Sequence, residues 1–237
     1  TTLLRLTTGY AELVNGGKKI TPSLIDRIQD RTGKTIYRHD ERACEVCVGA
    51  EASVDNEPAL PDEREQLAPA TSVYQIVSIL QGVVQRGTGA AIASLGRPLG
   101  GKTGTTNDSN DTWFIGFSPD LAVGVFMGFD QPRTLGKRET GATVAVPVFK
   151  EFMGDALKDK PAIPFRVPPG IRLVRVNAHT GLLTSANDRQ AIWEAFKPGT
   201  EPTGHEAVLD GAVEGGNGGS GGEALGLGAI PPTEGLY

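Results

Sequence analysis

The chain of 237 residues lacks long apolar runs, so we expect no segment of it to cross a membrane. It also lacks a recognisable signal peptide and begins with Thr1 rather than methionine, which suggests a chain processed or cut from a longer one. Positive charge is not in excess either: the formal net charge is -5, and Lys and Arg are scattered, which argues against a nucleic-acid-binding protein. A hydrophobic fraction of 38% can still support a core.

Cysteine is scarce, and its two copies lie close together as Cys44 and Cys47 in the sequence CEVC. A lone C-x-x-C pair can be half of a zinc site, a redox pair or a local disulfide. Zinc would need two more ligands at ordered spacing; only His39 lies near in sequence, whereas His179 and His205 are distant. We therefore expect a disulfide or free thiols, and no metal or cofactor.

Two segments have the apolar spacing of amphipathic helices. Residues 1–17 carry apolar side chains at helical intervals and end in an asparagine and two glycines, which is a typical helix stop. Residues 69–89 should form a second helix, with Thr71 or Ser72 as the N-cap and Gly87 as the stop. Its apolar face would consist of Val73, Val77, Leu80 and Val84.

Other segments have the residue pattern of β-strands joined by turns. Residues 111–117 and 121–129 are separated by a short turn and predict a β-hairpin, whose second strand is apolar on both faces and should be buried in mid-sheet. Shorter hairpins are expected within 18–40 and within 168–185. A third helix should begin around Pro147, after an irregular start.

The stretch from Gly96 to Thr106 fits two motifs at once. Counted from Gly96, it matches the phosphate-binding pattern G-x-x-x-x-G-K-S/T, and counted from Lys102 it is K-T-G. A phosphate loop needs a helix that begins at its lysine, so that helix amides meet the phosphates. After Lys102 the chain has glycine, threonines and Asx residues, which form helices poorly. We therefore reject nucleotide binding.

As a strand at a sheet edge, the K-T-G segment would place Lys102 and Gly104 on one face and Thr103 and Thr105 on the other. Glycine inside a strand suits a position that another backbone approaches, such as a substrate added as an extra strand. A lysine cation and threonine hydroxyls suit a carboxylate through charge-assisted hydrogen bonds. On these residues alone, an ordinary edge strand with a solvated lysine remains the alternative.

The wider sequence decides between these alternatives. Residues 83–136 closely resemble the transpeptidase domain of class A penicillin-binding proteins of the 1A type, and residues 3–17 and 139–153 resemble neighbouring segments of that family. The resemblance runs over about residues 1–183. It implies an α+β fold, the C-terminal portion of a serine transpeptidase/β-lactamase-like fold, in which an antiparallel sheet packs with helices.

This resemblance also suggests a division of the chain. Residues 1–183 would be the C-terminal part of the transpeptidase domain, interrupted by an acidic surface insertion at 38–69. Residues 184–210 would be a C-terminal extension. The glycine-rich composition of 211–237 predicts a disordered tail.

In the family, a serine attacks the D-Ala-D-Ala end of a peptidoglycan stem peptide, the acyl-enzyme is resolved by a neighbouring strand's amine, and β-lactams acylate the same serine. The resemblance implies that Lys102 supplies positive charge and joins the proton-transfer network. Thr103, Gly104 and Thr105 would bind substrate: the Thr105 side chain binds its carboxylate and the Thr105 N–H is one oxyanion donor. Trp113 is expected to pack under this strand.

The family's nucleophile is missing. Its mechanism needs S-x-x-K and S-x-N ahead of K-T-G, yet no serine of this chain has a lysine three residues later. The only S-x-N match, Ser185 to Asn187, follows K-T-G, and we interpret it as a surface turn. We therefore expect a fragment that is inactive alone and needs upstream sequence to complete its sheet.

The resemblance implies a parent that is a bifunctional peptidoglycan synthase, with a glycosyltransferase domain and an N-terminal anchor, at the periplasmic face of the inner membrane. Its partners would be D-Ala-D-Ala stem peptides and β-lactams, with no nucleic acid. The alternative is a non-catalytic module that binds D-Ala-D-Ala or a protein partner.

Overall fold

The computed structural model describes residues 1–42 and 62–204. The expectations for Cys44 and Cys47, for His205, for the middle of the acidic insertion and for the glycine-rich tail therefore lie outside the described residues. None of the described helices is long and apolar enough to cross a membrane.

The described part contains three α-helices: α1 (Leu3–Val14), α2 (Ala70–Arg86) and α3 (Val146–Ala156). Thr2 caps α1, because its hydroxyl accepts a hydrogen bond from the Arg5 N–H at 3.2 Å. Pro147 lies in the first turn of α3, as predicted. The preceding residues are not irregular but form a π-helical turn, Gly141–Ala145, that leads into the helix.

The N-cap prediction for α2 was wrong. Its N-cap is Pro69, which has no capping side chain, and Thr71 and Ser72 lie inside the first turn. The Ser72 hydroxyl is instead a partner of Lys197, whose Nζ donates to it at 2.9 Å. The predicted stop is confirmed, since Gly87 is the C-cap and its N–H donates to the Val83 carbonyl at 3.1 Å. All four residues of the predicted apolar face are buried.

Seven strands form three antiparallel sheets in the described residues. The strands are β1 (Arg27–Gln29), β2 (Thr35–Arg38), β3 (Gly100–Thr105), β4 (Asp111–Phe117), β5 (Ala122–Gly128), β6 (Arg172–Asn177) and β7 (Ala191–Phe196). β1 pairs with β2 as the predicted hairpin, and β3, β4 and β5 form a sheet in that order. β4 is therefore the central strand.

The pairing of β6 differs from the prediction. The expected hairpin within 168–185 is reduced to one bridge, Val176 to Leu183, while β6 pairs along its length with β7. β7 is favoured as the partner of β6 because this pairing buries Ala195 in the core, where the residue is 6% exposed. Ser185 and Asn187 are exposed in the connection between β6 and β7, as a surface turn should be.

Two apolar clusters cover opposite faces of β4. Phe114 stacks edge-on against Phe149 of α3, with ring centroids 4.8 Å apart. Phe117, three residues on, faces the other way and packs with Tyr74 of α2 and with Phe165. Both phenylalanines of β4 are fully buried, so this strand holds the two halves of the core together.

The prediction that the apolar strand 121–129 is buried in mid-sheet was wrong. β5 lies at one end of the three-stranded order, and Phe126 and Met127 are 41% and 39% exposed. Within the described residues α1 packs against β5 near Gly124, where the side chains of Leu3 and Thr7 lie beside the strand.

Candidate functional site

The K-T-G segment lies in β3, which is an edge strand of its sheet, as the sequence predicted. Lys102 lies opposite Ile115 and Gly104 opposite Trp113 in an uninterrupted antiparallel register. No helix begins at Lys102, because the strand continues to Thr105. This geometry agrees with the rejection of a phosphate-binding loop.

The register determines which backbone groups of β3 face outward. In an antiparallel pair, opposing residues alternate between those that exchange hydrogen bonds and those that do not. The Thr106 N–H donates to the Asp111 carbonyl at 3.0 Å, immediately after the strand. By alternation, Gly104 bonds to β4, and the N–H and C=O groups of Thr103 and Thr105 point away from β4 toward the open edge.

Lys102 supplies the positive charge at this edge. Its side chain is exposed, and its Nζ donates to the outward-facing Thr103 carbonyl at 2.9 Å. No carboxylate in the described part of the chain forms an ion pair with Lys102. The ammonium group is therefore available to an anionic ligand at the edge.

The hydroxyls of both threonines have protein partners from other elements. The Thr103 Oγ1 lies 2.9 Å from the Thr88 Oγ1, and either atom can be the donor. The Thr105 Oγ1 accepts a hydrogen bond from the Gly141 N–H at 3.0 Å. Neither contact takes a backbone amide of the open edge.

Two glycines allow close approach around β3. A Cβ on Gly141 would lie 2.6 Å from the Trp113 carbonyl oxygen and 2.8 Å from that of Gly104, so only glycine fits against these two strands. A Cβ on Gly104 would lie 3.3 Å from the Trp113 Cβ, which is a tight contact. Trp113 packs beneath Gly104, as predicted, with its ring 4.5 Å from that of Phe126.

The sequence alone indicates no role for Thr88 or Gly141. Thr88 precedes its partner Thr103 by 15 residues, and Gly141 follows its partner Thr105 by 36. The signal was present only as the small residues of the G-T-G at 87–89 and the T-G at 140–141, which do not identify a distant partner. The four predicted site residues, in contrast, are contiguous.

The described residues contain no group of three or more His, Cys, Asp or Glu side chains that could hold a metal ion. At the edge of β3 the structure presents the Lys102 cation, outward backbone groups and the hydroxyls of Thr103 and Thr105. These groups can bind a carboxylate and the backbone of an extended peptide.

Known proteins are similar to this chain over most of its length. Residues 1–154 match the model of the penicillin binding protein transpeptidase domain. The chain is 47% identical over 200 residues to penicillin-binding protein 1A of Rickettsia conorii, covering 83% of this chain and 25% of that protein. It is 36% identical over 226 residues to penicillin-binding protein 1A of Pseudomonas aeruginosa, covering 83% of this chain and 28% of that protein.

A solved structure has the same fold. The crystal structure of penicillin-binding protein 1A from Haemophilus influenzae superposes with a TM-score of 0.70 at 32% identity, covering 87% of this chain and 33% of that one. The chain thus spans about a quarter of the length of the curated relatives that it matches.

Proposed function

Since the chain belongs to the penicillin-binding protein transpeptidase family, we propose that the open edge of β3 binds the D-Ala-D-Ala end of peptidoglycan stem peptides, and β-lactams in their place. The observation that carries this proposal is the outward direction of the backbone groups of Thr103 and Thr105, beside the Lys102 ammonium, which donates to the Thr103 carbonyl and forms no ion pair within the described residues. A substrate backbone can pair with these groups as an added strand. Its terminal carboxylate then meets the ammonium and hydroxyl groups.

The reaction that we propose for the parent protein is D,D-transpeptidation through an acyl-serine intermediate. In it, the outward N–H of Thr105 would be one of two oxyanion donors, aimed at charge that develops only in the transition state. Loss of one such donor typically raises a barrier by about 2.7–4 kcal/mol. Lys102 would join the hydrogen-bond network through which the attacking serine loses its proton.

The attacking group would come from sequence outside the 237 residues, because no serine here has the S-x-x-K spacing. Without a nucleophile, binding and oxyanion stabilisation are all that such a site retains. The chain would therefore be inactive alone. The same upstream sequence would supply the remaining strands of the sheet, next to the uncovered edge of β5.

We further propose the setting that the class A family implies. The parent would also carry a glycosyltransferase domain, and it would lie at the periplasmic face of the inner membrane, held by an N-terminal helix. Residues 1–183 would form the transpeptidase part and 184–210 a C-terminal extension, although β7 of that extension pairs with β6.

The binding proposal is tested by an NMR titration of the full chain with N-acetyl-D-Ala-D-Ala, followed through backbone amide shifts. We expect the largest shifts at Thr103 and Thr105, and weaker effects with N-acetyl-L-Ala-L-Ala, whose methyl groups project differently from the added strand. Equal shifts with both peptides, or no shifts in β3, would refute the proposal.

A second function is favoured by one observation, the absence of S-x-x-K from this chain. It is a non-catalytic module that recognises D-Ala-D-Ala or a protein partner without chemistry. The gene sequence upstream of Thr1 separates the two functions: an S-x-x-K there followed by S-x-N favours the enzyme, and their absence favours the module.

A further inference from the structure

We propose that Thr88 and Gly141 are positioning residues that orient the hydroxyls of Thr103 and Thr105 toward the carboxylate of the ligand. This inference rests on the proposed function, because it concerns the same edge of β3. Neither residue touches the ligand in this proposal, and each acts through a threonine of the strand. Their contacts are the 2.9 Å approach of the Thr88 and Thr103 hydroxyls and the 3.0 Å hydrogen bond from Gly141 to Thr105.

The contact at Thr105 fixes the direction of a hydroxyl that could otherwise rotate. A threonine hydroxyl has one proton to donate and two lone pairs that accept. The Gly141 N–H occupies one lone pair of Thr105 Oγ1, and no acceptor among the described residues takes the hydroxyl proton. That proton therefore remains for a ligand, and a carboxylate is an acceptor without a donor.

At Thr103, the hydrogen bond with Thr88 can run in either direction. Either hydroxyl of the Thr88 and Thr103 pair can donate to the other. When Thr88 donates, the Thr103 proton is free for a carboxylate oxygen. When Thr103 donates to Thr88, it offers the ligand only lone pairs, which suit an N–H group. A bound carboxylate selects the first arrangement.

Both positioning groups are themselves held firmly. Thr140 and Thr143 form a capping box next to Gly141, in which the Thr140 N–H donates to the Thr143 hydroxyl at 2.8 Å. The segment before β3 is anchored because the N–H groups of Gly87 and Gly89 both donate to the Val83 carbonyl. Thr88 lies between these two anchored glycines, so its backbone is held next to β3.

The consequence is selectivity for a free carboxylate over a carboxamide. The Thr105 proton has no acceptor among the described residues, and a Thr88 hydroxyl that donates leaves the Thr103 proton for the ligand as well, so a carboxylate meets two donors. A carboxamide presents an N–H where the carboxylate presents an oxygen, so one hydroxyl proton must turn away. We therefore expect the selectivity, rather than the fold, to depend on Thr88.

The test measures two affinities for each variant of the full chain by NMR titration, one for N-acetyl-D-Ala-D-Ala and one for its C-terminal amide. The readout is the dissociation constant of the amide divided by that of the free acid, which measures selectivity for the free carboxylate. Thr88→Val keeps the shape and removes the hydroxyl to which Thr103 donates when an amide N–H is bound, so we expect the amide to lose affinity relative to the free acid by about fivefold, the effect of one hydrogen bond. Thr88→Ser should preserve the ratio, and Thr200→Ala, an exposed threonine elsewhere, should leave it unchanged.

The outcomes separate the two proposals. If Thr88→Val keeps the wild-type ratio while Thr105→Val lowers it, the positioning role is refuted and the proposed function stands. If the wild-type chain binds neither peptide at β3, both are refuted. Well-dispersed amide spectra of each variant exclude loss of fold as the cause.

Discussion

At the scale of single residues, Lys102 gives the β3 edge its charge, because its ammonium has no carboxylate partner in the described part of the chain. Replacing it by methionine keeps an unbranched side chain of similar length and removes the charge. Exposed ion pairs contribute about 0.2–1 kcal/mol, so Lys102→Met should weaken binding of N-acetyl-D-Ala-D-Ala by a factor of roughly 1.4 to 5. The measurement is the dissociation constant at low salt.

A matched control is Lys158→Met, an exposed lysine after α3. The loss at Lys102 should shrink in 0.5 M salt (about the concentration at which exposed charges are well screened). An equal loss in both variants would show a general charge effect and contradict a role for Lys102 at the edge.

Gly141 should tolerate no side chain, because a Cβ would meet two backbone carbonyl oxygens of the central sheet at 2.6 and 2.8 Å. We expect Gly141→Ala to lower the free energy of unfolding by about 1–3 kcal/mol, as overpacking does. Gly9→Ala provides the control, since Gly9 lies inside α1 with nothing within 4 Å of the added methyl. It should raise the free energy of unfolding by about 0.5–1 kcal/mol.

Urea unfolding curves of the two variants check this pair, with the midpoint compared at constant slope. A Gly141→Ala variant as stable as the wild type would mean that the approach of this turn to β3 and β4 is looser than the structure shows. It would also remove the support for a fixed Gly141 amide.

The sequence allowed the prediction of contiguous site residues but not of their distant partners. Lys102 to Thr105 could be placed on an edge strand because glycine, threonine and Asx residues disfavour a helix locally. Thr88 and Gly141 come from other elements, and only tertiary packing brings them to the strand. Local propensity contains no information on such contacts.

At the scale of elements, the connection between β6 and β7 is organised by one carboxylate. The Asp188 side chain accepts hydrogen bonds from the Gln190 N–H at 2.8 Å and from the Asn177 amide at 2.9 Å. It also accepts one from the Thr184 hydroxyl. These bonds, that of the Gln190 N–H first, lower the pKa of Asp188 below its ordinary value.

The sign of the pH dependence follows from this shift. A carboxyl whose folded pKa is lowered stabilises the folded state above its unfolded pKa of about 3.9, and that contribution is lost as pH falls through the lower folded pKa. We therefore expect acid to loosen the β6–β7 pair in this pH range. Amide exchange rates of β6 and β7 between about pH 2 and 5 measure it.

Asp188→Asn should be less stable than the wild type at neutral pH and should lack this acid-dependent loosening. Asp159→Asn, in the turn region after α3, is the control and should leave exchange in β6 and β7 unchanged. Parallel pH profiles for wild type and Asp188→Asn would contradict the role assigned to the carboxylate.

Elements were predicted well where one physical signal dominated. The buried face of α2 and the β4–β5 hairpin were confirmed, because periodic apolar residues and a short turn determine them locally. The burial of β5 was wrong, since hydrophobicity shows what a strand could bury but not which neighbours it has. β7 was missed because its pairing with β6 spans an irregular connection.

At the scale of the whole molecule, the chain carries the proposed binding edge and no S-x-x-K serine. Incubation with a fluorescent penicillin should therefore leave no covalent label on the chain after denaturation. Gel fluorescence and mass spectrometry of the intact protein make the measurement. A stable adduct that maps to any of its serines would contradict the proposal that the nucleophile lies outside these residues.

The overall fold could be expected from the resemblance of the central block to one family, and the family model and the structural comparison confirm it. Composition alone predicts only that the chain has enough hydrophobic residues to form a core. Apolar clusters cover both faces of β4, and they include residues from helices that are distant in sequence. Composition does not show which helices pack on a sheet, so it could not predict this fold.

The most direct test of the central claim is a set of intermolecular nuclear Overhauser effects between the full chain and N-acetyl-D-Ala-D-Ala. The proposal predicts contacts from the terminal D-Ala methyl group to the amide protons of Thr103 and Thr105. Contacts confined to residues outside 102–105 would contradict binding at the open edge of β3.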